Sequence, residues 1–286
     1  MAYGSPERLA DVPAYYADIR GGRPIATEHL DDLVERYRRL GIEESSPLNA
    51  ITERTRAALA VELGLPVWTG MKHWRPHIAD AAESALADGA AVIVGLVLAP
   101  HYSELSIAGY REQLERAVDG RAELRFVPQW YDEPGFVDLL ADRIRGTRAH
   151  VVFTAHSLPA RVRETGDPYE EQLLETSRLV AAAADVADWS FSFQSESPTG
   201  EPWLGPDILE HLRALDRAGV EAVLLCPVGF VSDHLEIRWD LDVEAAELAA
   251  RLGLRLDRVE MPNDDPAFVR TLAGIVRRAL AVPSPA

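Results

Sequence analysis

The chain has 286 residues, which suggests about two domains and is long enough to bury full cores without disulfide or metal staples. With 47% apolar and 26% charged residues it has a globular composition, which excludes a disordered chain. Acidic residues outnumber basic ones by 46 to 29, giving a net charge of −17 and arguing against a nucleic-acid-binding face.

In chain order, apolar runs read as strands at Val67–Met71, Ala91–Ala99, Leu124–Pro128, Val151–Ala155, Ser190–Gln194, Ala222–Cys226 and Arg255–Glu260. Amphipathic stretches between them read as helices at Thr27–Leu40, Ile51–Leu63, Pro76–Ala87, Tyr110–Ala117, Gly135–Gly146, Tyr169–Ala184, Pro206–Ala218, Val243–Leu252 and Pro266–Leu280. This alternation predicts an α/β protein with parallel sheets flanked by helices. The pattern occurs twice, so residues 1–147 and 148–286 are expected to form two similar Rossmann-like (flavodoxin-like) domains. The last helix, about 266–281, is expected to pack back on the first domain.

Only Met1–Tyr3 stands where the first domain needs its first strand. A natural start upstream, with a further apolar run, is therefore expected. The tail Pro283–Ala286 reads as disordered. The longest apolar run, Gly89 to Pro100, is too short to span a bilayer and begins beside Asp88. Met1 is followed by no basic-then-apolar signal pattern. Cys226 is the only cysteine, which excludes an intrachain disulfide, a Cys-based zinc site and a Cys-ligated iron–sulfur cluster. A reducing, cytoplasmic location is expected.

In open parallel sheets, ligands bind beyond the carboxyl ends of the strands. There the sequence places Tyr3, Lys72 with His73, His101 with Tyr102, Trp130 with Tyr131, His156 with Ser157, Ser195 with Glu196, and the stretch Pro227–Glu236. Any one such histidine fits an ordinary turn or cap; their concentration on one edge points to a site. Glu236, Asp240 and Glu244 recur at a spacing of four, which stacks them on one helix face. The row fits either a solvated acidic face or a path that passes divalent cations inward and protons outward. An imidazole facing a carboxylate holds a borderline metal such as iron(II), and neutral imidazole accepts protons near neutral pH. No G-x-G-x-x-G or P-loop motif opens a βα unit, which weighs against nucleotide chemistry.

The motifs resemble those of ferrochelatases, in particular the coproporphyrin III ferrochelatases of Gram-positive-type bacteria. The matching stretches are Met1-Ala2-Tyr3-Gly4, Ser46-Pro47-Leu48-Asn49, Pro100-His101-Tyr102-Ser103, Trp130-Tyr131-Asp132-Glu133-Pro134, His156-Ser157-Leu158-Pro159, Gly166-Asp167-Pro168-Tyr169, Phe193-Gln194-Ser195, Trp203-Leu204-Gly205-Pro206, Pro227 to Glu236, and Met261-Pro262-Asn263. They run nearly the whole chain in order. The resemblance implies a chelatase-like fold with an active-site cleft between the domains. It also implies insertion of Fe(2+) into coproporphyrin III with release of two protons. His156 and Glu236 would be the catalytic and metal-side pair, with Asp240 and Glu244 continuing the metal path. Tyr3, Arg20, Arg36, Tyr37, Ser46 and Tyr131 would line the porphyrin pocket, with Tyr3 ligating iron in the product. No cofactor beyond substrate Fe(2+), and no iron–sulfur cluster, is implied. The partners implied are the two substrates and a transient handover to the next haem-pathway enzyme. Departures are the loop Gly41-Ile42-Glu43-Glu44-Ser45-Ser46-Pro47, which carries two added acidic residues, and the missing apolar membrane lip of mitochondrial members. The alternatives are a protoporphyrin IX ferrochelatase, a related cobalt or nickel chelatase, and a non-catalytic porphyrin carrier.

Overall fold

The structure is a computed structural model and describes residues 1–23, 26–41, 47–197 and 200–282. Ser46 and the tail 283–286 lie outside the described residues.

The second half folds as a four-stranded parallel sheet of β3 (His150–His156), β4 (Trp189–Gln194), β5 (Ala222–Cys226) and β6 (Arg255–Arg258), in the lateral order β4-β3-β5-β6. Counted within the domain, this is second–first–third–fourth, the flavodoxin-like order. The first half holds the parallel pair β1 (Val92–Leu96) and β2 (Glu123–Val127). Met1–Tyr3 lies beside β1: Met1 N donates to Leu96 O and Leu98 N donates to Met1 O. On its other side, Ala2 bridges Met71 in parallel, and Lys72 N and His73 N donate to Ala2 O and Tyr3 O. The lateral order is therefore the same in both halves.

The expected strand Val67–Met71 is not a strand; only Met71 makes isolated bridges. Met1–Tyr3 is too short to pair with more of it, and Pro66 removes a donor at its start. A helix that periodicity missed, α1 (Val12–Ile19), precedes α2 (Thr27–Arg39). It buries only Val12 and Tyr15, too few positions to make a repeating stripe. The helices α3 (Pro47–Leu63), α4 (Ile78–Ala87), α5 (Ile107–Val118), α6 (Pro134–Ile144), α7 (Tyr169–Ala184) and α8 (Ile208–Arg217) flank the sheets. After β5, a π-helix at Ile237–Ala245 runs into α9 (Ala246–Leu252), so helical structure begins before the expected Val243. The last helix, α10 (Pro266–Ala281), packs against α3, α6 and β1.

One apolar core runs through both halves. Leu59, Leu96 and Trp130 join Val151, Phe153 and Leu173, and Phe268 and Leu272 of α10 close it. The approach of α10 to α6 requires Gly135, where a Cβ would lie 2.3 Å from Thr271 Oγ1. A smaller cluster forms under α1 and α2 around Val12 and Tyr37, and Leu235 of the second half packs into it.

Candidate active site

His156 ends β3, where the parallel ladder delivers its side chain to the cleft between the halves. Its backbone is fixed by Tyr169 Oη, which donates to His156 O at 3.0 Å. The ring is turned by Nδ1, which donates to Ser157 O. That leaves Nε2 facing Glu236, 3.6 Å from Oε1. The other Glu236 oxygen lies 3.5 Å from His234 Nε2, and His234 Nδ1 is held in turn by Ser232 O at 2.8 Å. One carboxylate thus lies between two imidazoles, each tied at its Nδ1 to a backbone carbonyl. Gln194 of β4 accepts from Thr154 Oγ1 at 3.0 Å and reaches the Glu236 carbonyl at 3.5 Å. These contacts fasten the start of the π-helix to the strand ends.

Burial alone would lower the His156 pKa. The Glu236 charge, the Ser157 carbonyl and more distant Asp240 outweigh it and raise the imidazole to about 9. Burial would raise Glu236, but His156 and His234 together hold it well below the usual carboxylate range. The pair is therefore an imidazolium–carboxylate at neutral pH.

Asp240 is buried on the π-helix and accepts from Ser195 Oγ. Ser195 has φ +64°, a left-handed conformation costing a non-glycine residue about 1–3 kcal/mol, and it sits just past the end of β4. Burial first, then the charges of Glu236 and Glu244, raise Asp240 to about 7. The i→i+5 turn of a π-helix is wider than the α-helical turn. It keeps the spacing of four on one face, and Glu244 stands half-buried behind Asp240.

The opposite wall comes from the first half. Tyr3 is 42% exposed and rests on His73, with ring centroids 4.7 Å apart; His73 Nδ1 lies 2.8 Å from Asp18 Oδ2. Burial of its oxygen, and then the charges of Glu236 and Asp18, raise the Tyr3 hydroxyl well above the usual tyrosine range. Tyr37 is buried against Ser5, its hydroxyl raised by burial and by the same Glu236 charge. Arg36 pairs with Asp32 at 2.9 Å and lies over Trp239 of the π-helix, 5.2 Å from its ring; Arg39 covers the same ring at 4.9 Å. Arg20 is exposed at the C-terminal end of α1. Tyr131 stacks on buried His101, whose other neighbour is Tyr169.

The structure thus brings His156 and Glu236 together and continues them to Asp240 and Glu244. It sets Tyr3 and Tyr37 within reach of the Glu236 charge and Arg36 on the π-helix. Tyr131 reaches the pair only through His101 and Tyr169. Sequence reasoning placed His234 on the right edge but gave it no part beside Glu236; a histidine two residues from a carboxylate in a loop carries no periodic signal. Among the described residues, no three His, Cys, Asp or Glu side chains converge on one point.

Two parallel α/β halves with an imidazole–carboxylate pair between them define a chelatase-like protein. Solved structures share that fold: one of SirB from Bacillus subtilis with Fe3+ has a TM-score of 0.61 at 14% identity, covering 81% of this chain and 89% of its own. The structure of CbiX from denitrifying bacteria gives 0.53 at 16% identity, covering 82% and 92%. The ferrochelatase family profile matches residues 1–280, and the chain belongs to the ferrochelatase family, metal-chelating enzymes of haem biosynthesis. A ferrochelatase of Herpetosiphon aurantiacus is 42% identical, with 96% of each chain covered. A coproporphyrin III ferrochelatase of Halalkalibacterium halodurans is 40% identical, covering 98% of this chain and 96% of its own. No helix among the described residues is long and apolar enough to cross a membrane.

Proposed function

We propose that the protein inserts Fe(2+) into coproporphyrin III, releasing two protons, and uses no cofactor beyond its substrates. The observation that carries this reading is the Glu236 carboxylate between His156 and His234, facing the wall that presents Tyr3. Before metal arrives, the site stores a proton on His156 against the Glu236 charge. A ferrous ion reaching Glu236 brings positive charge beside that imidazolium and favours its deprotonation. The freed Nε2 then accepts the two pyrrole protons of the ring in turn, passing the first on before it takes the second. Asp240, with a pKa near 7, takes protons onward toward Glu244. Tyr3 stays a neutral phenol and is the group available to iron on the other face.

Arg36 and Arg20 offer guanidinium groups to substrate carboxylates. Coproporphyrin carries four propionates against two in protoporphyrin, which suits a rim with exposed arginine. The relatives at about 40% identity that are named coproporphyrin III ferrochelatases support the same choice. A cytoplasmic location and a transient handover to the next haem-pathway enzyme complete the reading.

The test is anaerobic metal insertion by the full chain, offered iron(II) with each porphyrin separately. Coproporphyrin III should turn over faster, and His156→Ala should lose at least about 100-fold, the lower range for a general base. Faster turnover of protoporphyrin IX would refute the substrate assignment. A His156→Ala variant with more than about a tenth of wild-type turnover would refute the base.

A further inference from the structure

At the opposite end of the second sheet, a polar cluster has no part in the cleft. His150 opens β3 and Ser190 is the second residue of β4; His211 lies in the first turn of α8. Asp188 Oδ1 lies 2.7 Å from His150 Nδ1, His150 Nε2 lies 2.7 Å from Ser190 Oγ, and His211 Nε2 also lies 2.7 Å from Ser190 Oγ. Six residue steps along β3 separate His150 from His156, about 20 Å. We propose that His150, His211 and Ser190 form a second binding site for a borderline divalent cation such as Zn2+, Co2+ or Fe2+, separate from the cleft.

The hydrogen-bond chemistry fixes the roles. Asp188 accepts from His150 Nδ1–H, so His150 Nε2 carries a bare lone pair. Ser190 has one hydroxyl proton, which it gives to that lone pair. Its oxygen then accepts from His211 Nε2–H. The two Nε2 atoms therefore stand no farther apart than two hydrogen bonds through one oxygen. A neutral His211 ring can carry its proton on Nδ1 instead, so Nε2 becomes a ligand with no net proton released. A carboxylate bonded to the far nitrogen of an imidazole is the outer-shell arrangement that orients metal-binding histidines. Two imidazoles, a hydroxyl and water suit borderline cations.

The place is reachable and has the right charge. Asp188 is 79% exposed while the His150 side chain is 10% exposed, so the rigid ligand is held inside and its partner faces water. Ser190 and His211 are half-buried. The net charge of −17 favours a cation at this edge. Asp188–His150–Ser190 is also the order of a nucleophile triad. The second imidazole occupies Ser190 Oγ from the other side, where an acyl group would have to approach, so coordination fits the geometry better.

The site does not depend on the reading of the cleft, and its test keeps the two apart. In the full chain carrying His156→Ala and Glu236→Gln, Co2+ is titrated by calorimetry and by its visible ligand-field absorption. One equivalent per chain should still bind with nitrogen ligation. Adding His211→Gln, which retains a hydrogen-bonding group for Ser190, should remove that equivalent without lowering the metal-free melting temperature. His150→Gln should remove it as well. Absence of bound Co2+ in the cleft double variant, or the same stoichiometry with and without His211→Gln, would overturn the proposal.

Discussion

Replacing His101 by Gln should make the protein less sensitive to acid. His101 is 3% exposed in the seam between the two halves, with Tyr131 stacked on it and Tyr169 at its edge. Its Nε2 lies 2.8 Å from Thr176 Oγ1, and that hydroxyl donates to Tyr131 O or Gln172 O, so the ring carries its proton on Nε2. Nδ1 is buried without a partner among the described residues. Burial lowers the ring from 6.5 to about 3. The unfolded chain then binds the proton more readily than the folded one. The contribution is fully present above pH 6.5 and is lost progressively as pH falls toward 3. The whole gap corresponds to about 5 kcal/mol, a large part of the 5–15 kcal/mol of a typical domain. Between pH 7 and pH 4.5 this one group should cost about 2.5 kcal/mol. Urea unfolding followed by tryptophan fluorescence at both pH values measures it, since all other titrating groups cancel between wild type and His101→Gln. The variant should be less stable at pH 7, and the difference between the proteins should shrink by about 2.5 kcal/mol at pH 4.5. Parallel losses in both proteins would refute the reasoning.

Three further outcomes follow from the cleft. At Gly229 a Cβ would lie 2.4 Å from Ala155 Cβ and 2.8 Å from Ala155 Cα, beside the residue preceding His156. Gly229→Ala should displace the end of β3, lowering the melting temperature and cutting turnover by more than tenfold; a variant equal to wild type in both assays would contradict this packing. In Glu236→Gln, burial of His156 remains but its main countercharge is gone, so the imidazole should fall from about 9 to below 7 in an NMR pH titration. Retention of a value above 8 would assign the raised pKa to another group. Along the same row, Asp240→Asn and Glu244→Gln should lose less turnover than Glu236→Gln and be partly rescued by raised metal; small, equal losses at all three would favour a solvated acidic face.

The strand–helix alternation was readable because β3 and β5 are largely apolar on both faces and β4 alternates aromatic and polar residues, and the carboxyl end of β3 located His156 without any contact information. The spacing of four located Asp240 and Glu244 on one helical face, but spacing alone does not distinguish α from π. That distinction depends on where Gln194, Ser195 and Leu235 fasten the segment. Val67–Met71 has strand composition, yet strand pairing requires a neighbour of matching length, and composition does not report one. The pairing of Arg36 and Arg39 with Trp239 joins residues two hundred positions apart and leaves no local trace. Tyr169 illustrates the same limit: its place in Gly166-Asp167-Pro168-Tyr169 marks a helix start, but only the fold shows its hydroxyl holding the His156 carbonyl.

The return of α10 across the molecule sets an order of assembly. Phe268 and Leu272 fill the core that Leu59, Leu96 and Trp130 also share, so those first-half residues keep an apolar face open to water until about 270 residues have been synthesised. Contacts at such sequence separation form late and slow folding. The half that is made first therefore waits longest for its covering helix, and a released chain truncated before α10 should be cut by protease more readily than the full chain around Leu59, Leu96 and Trp130.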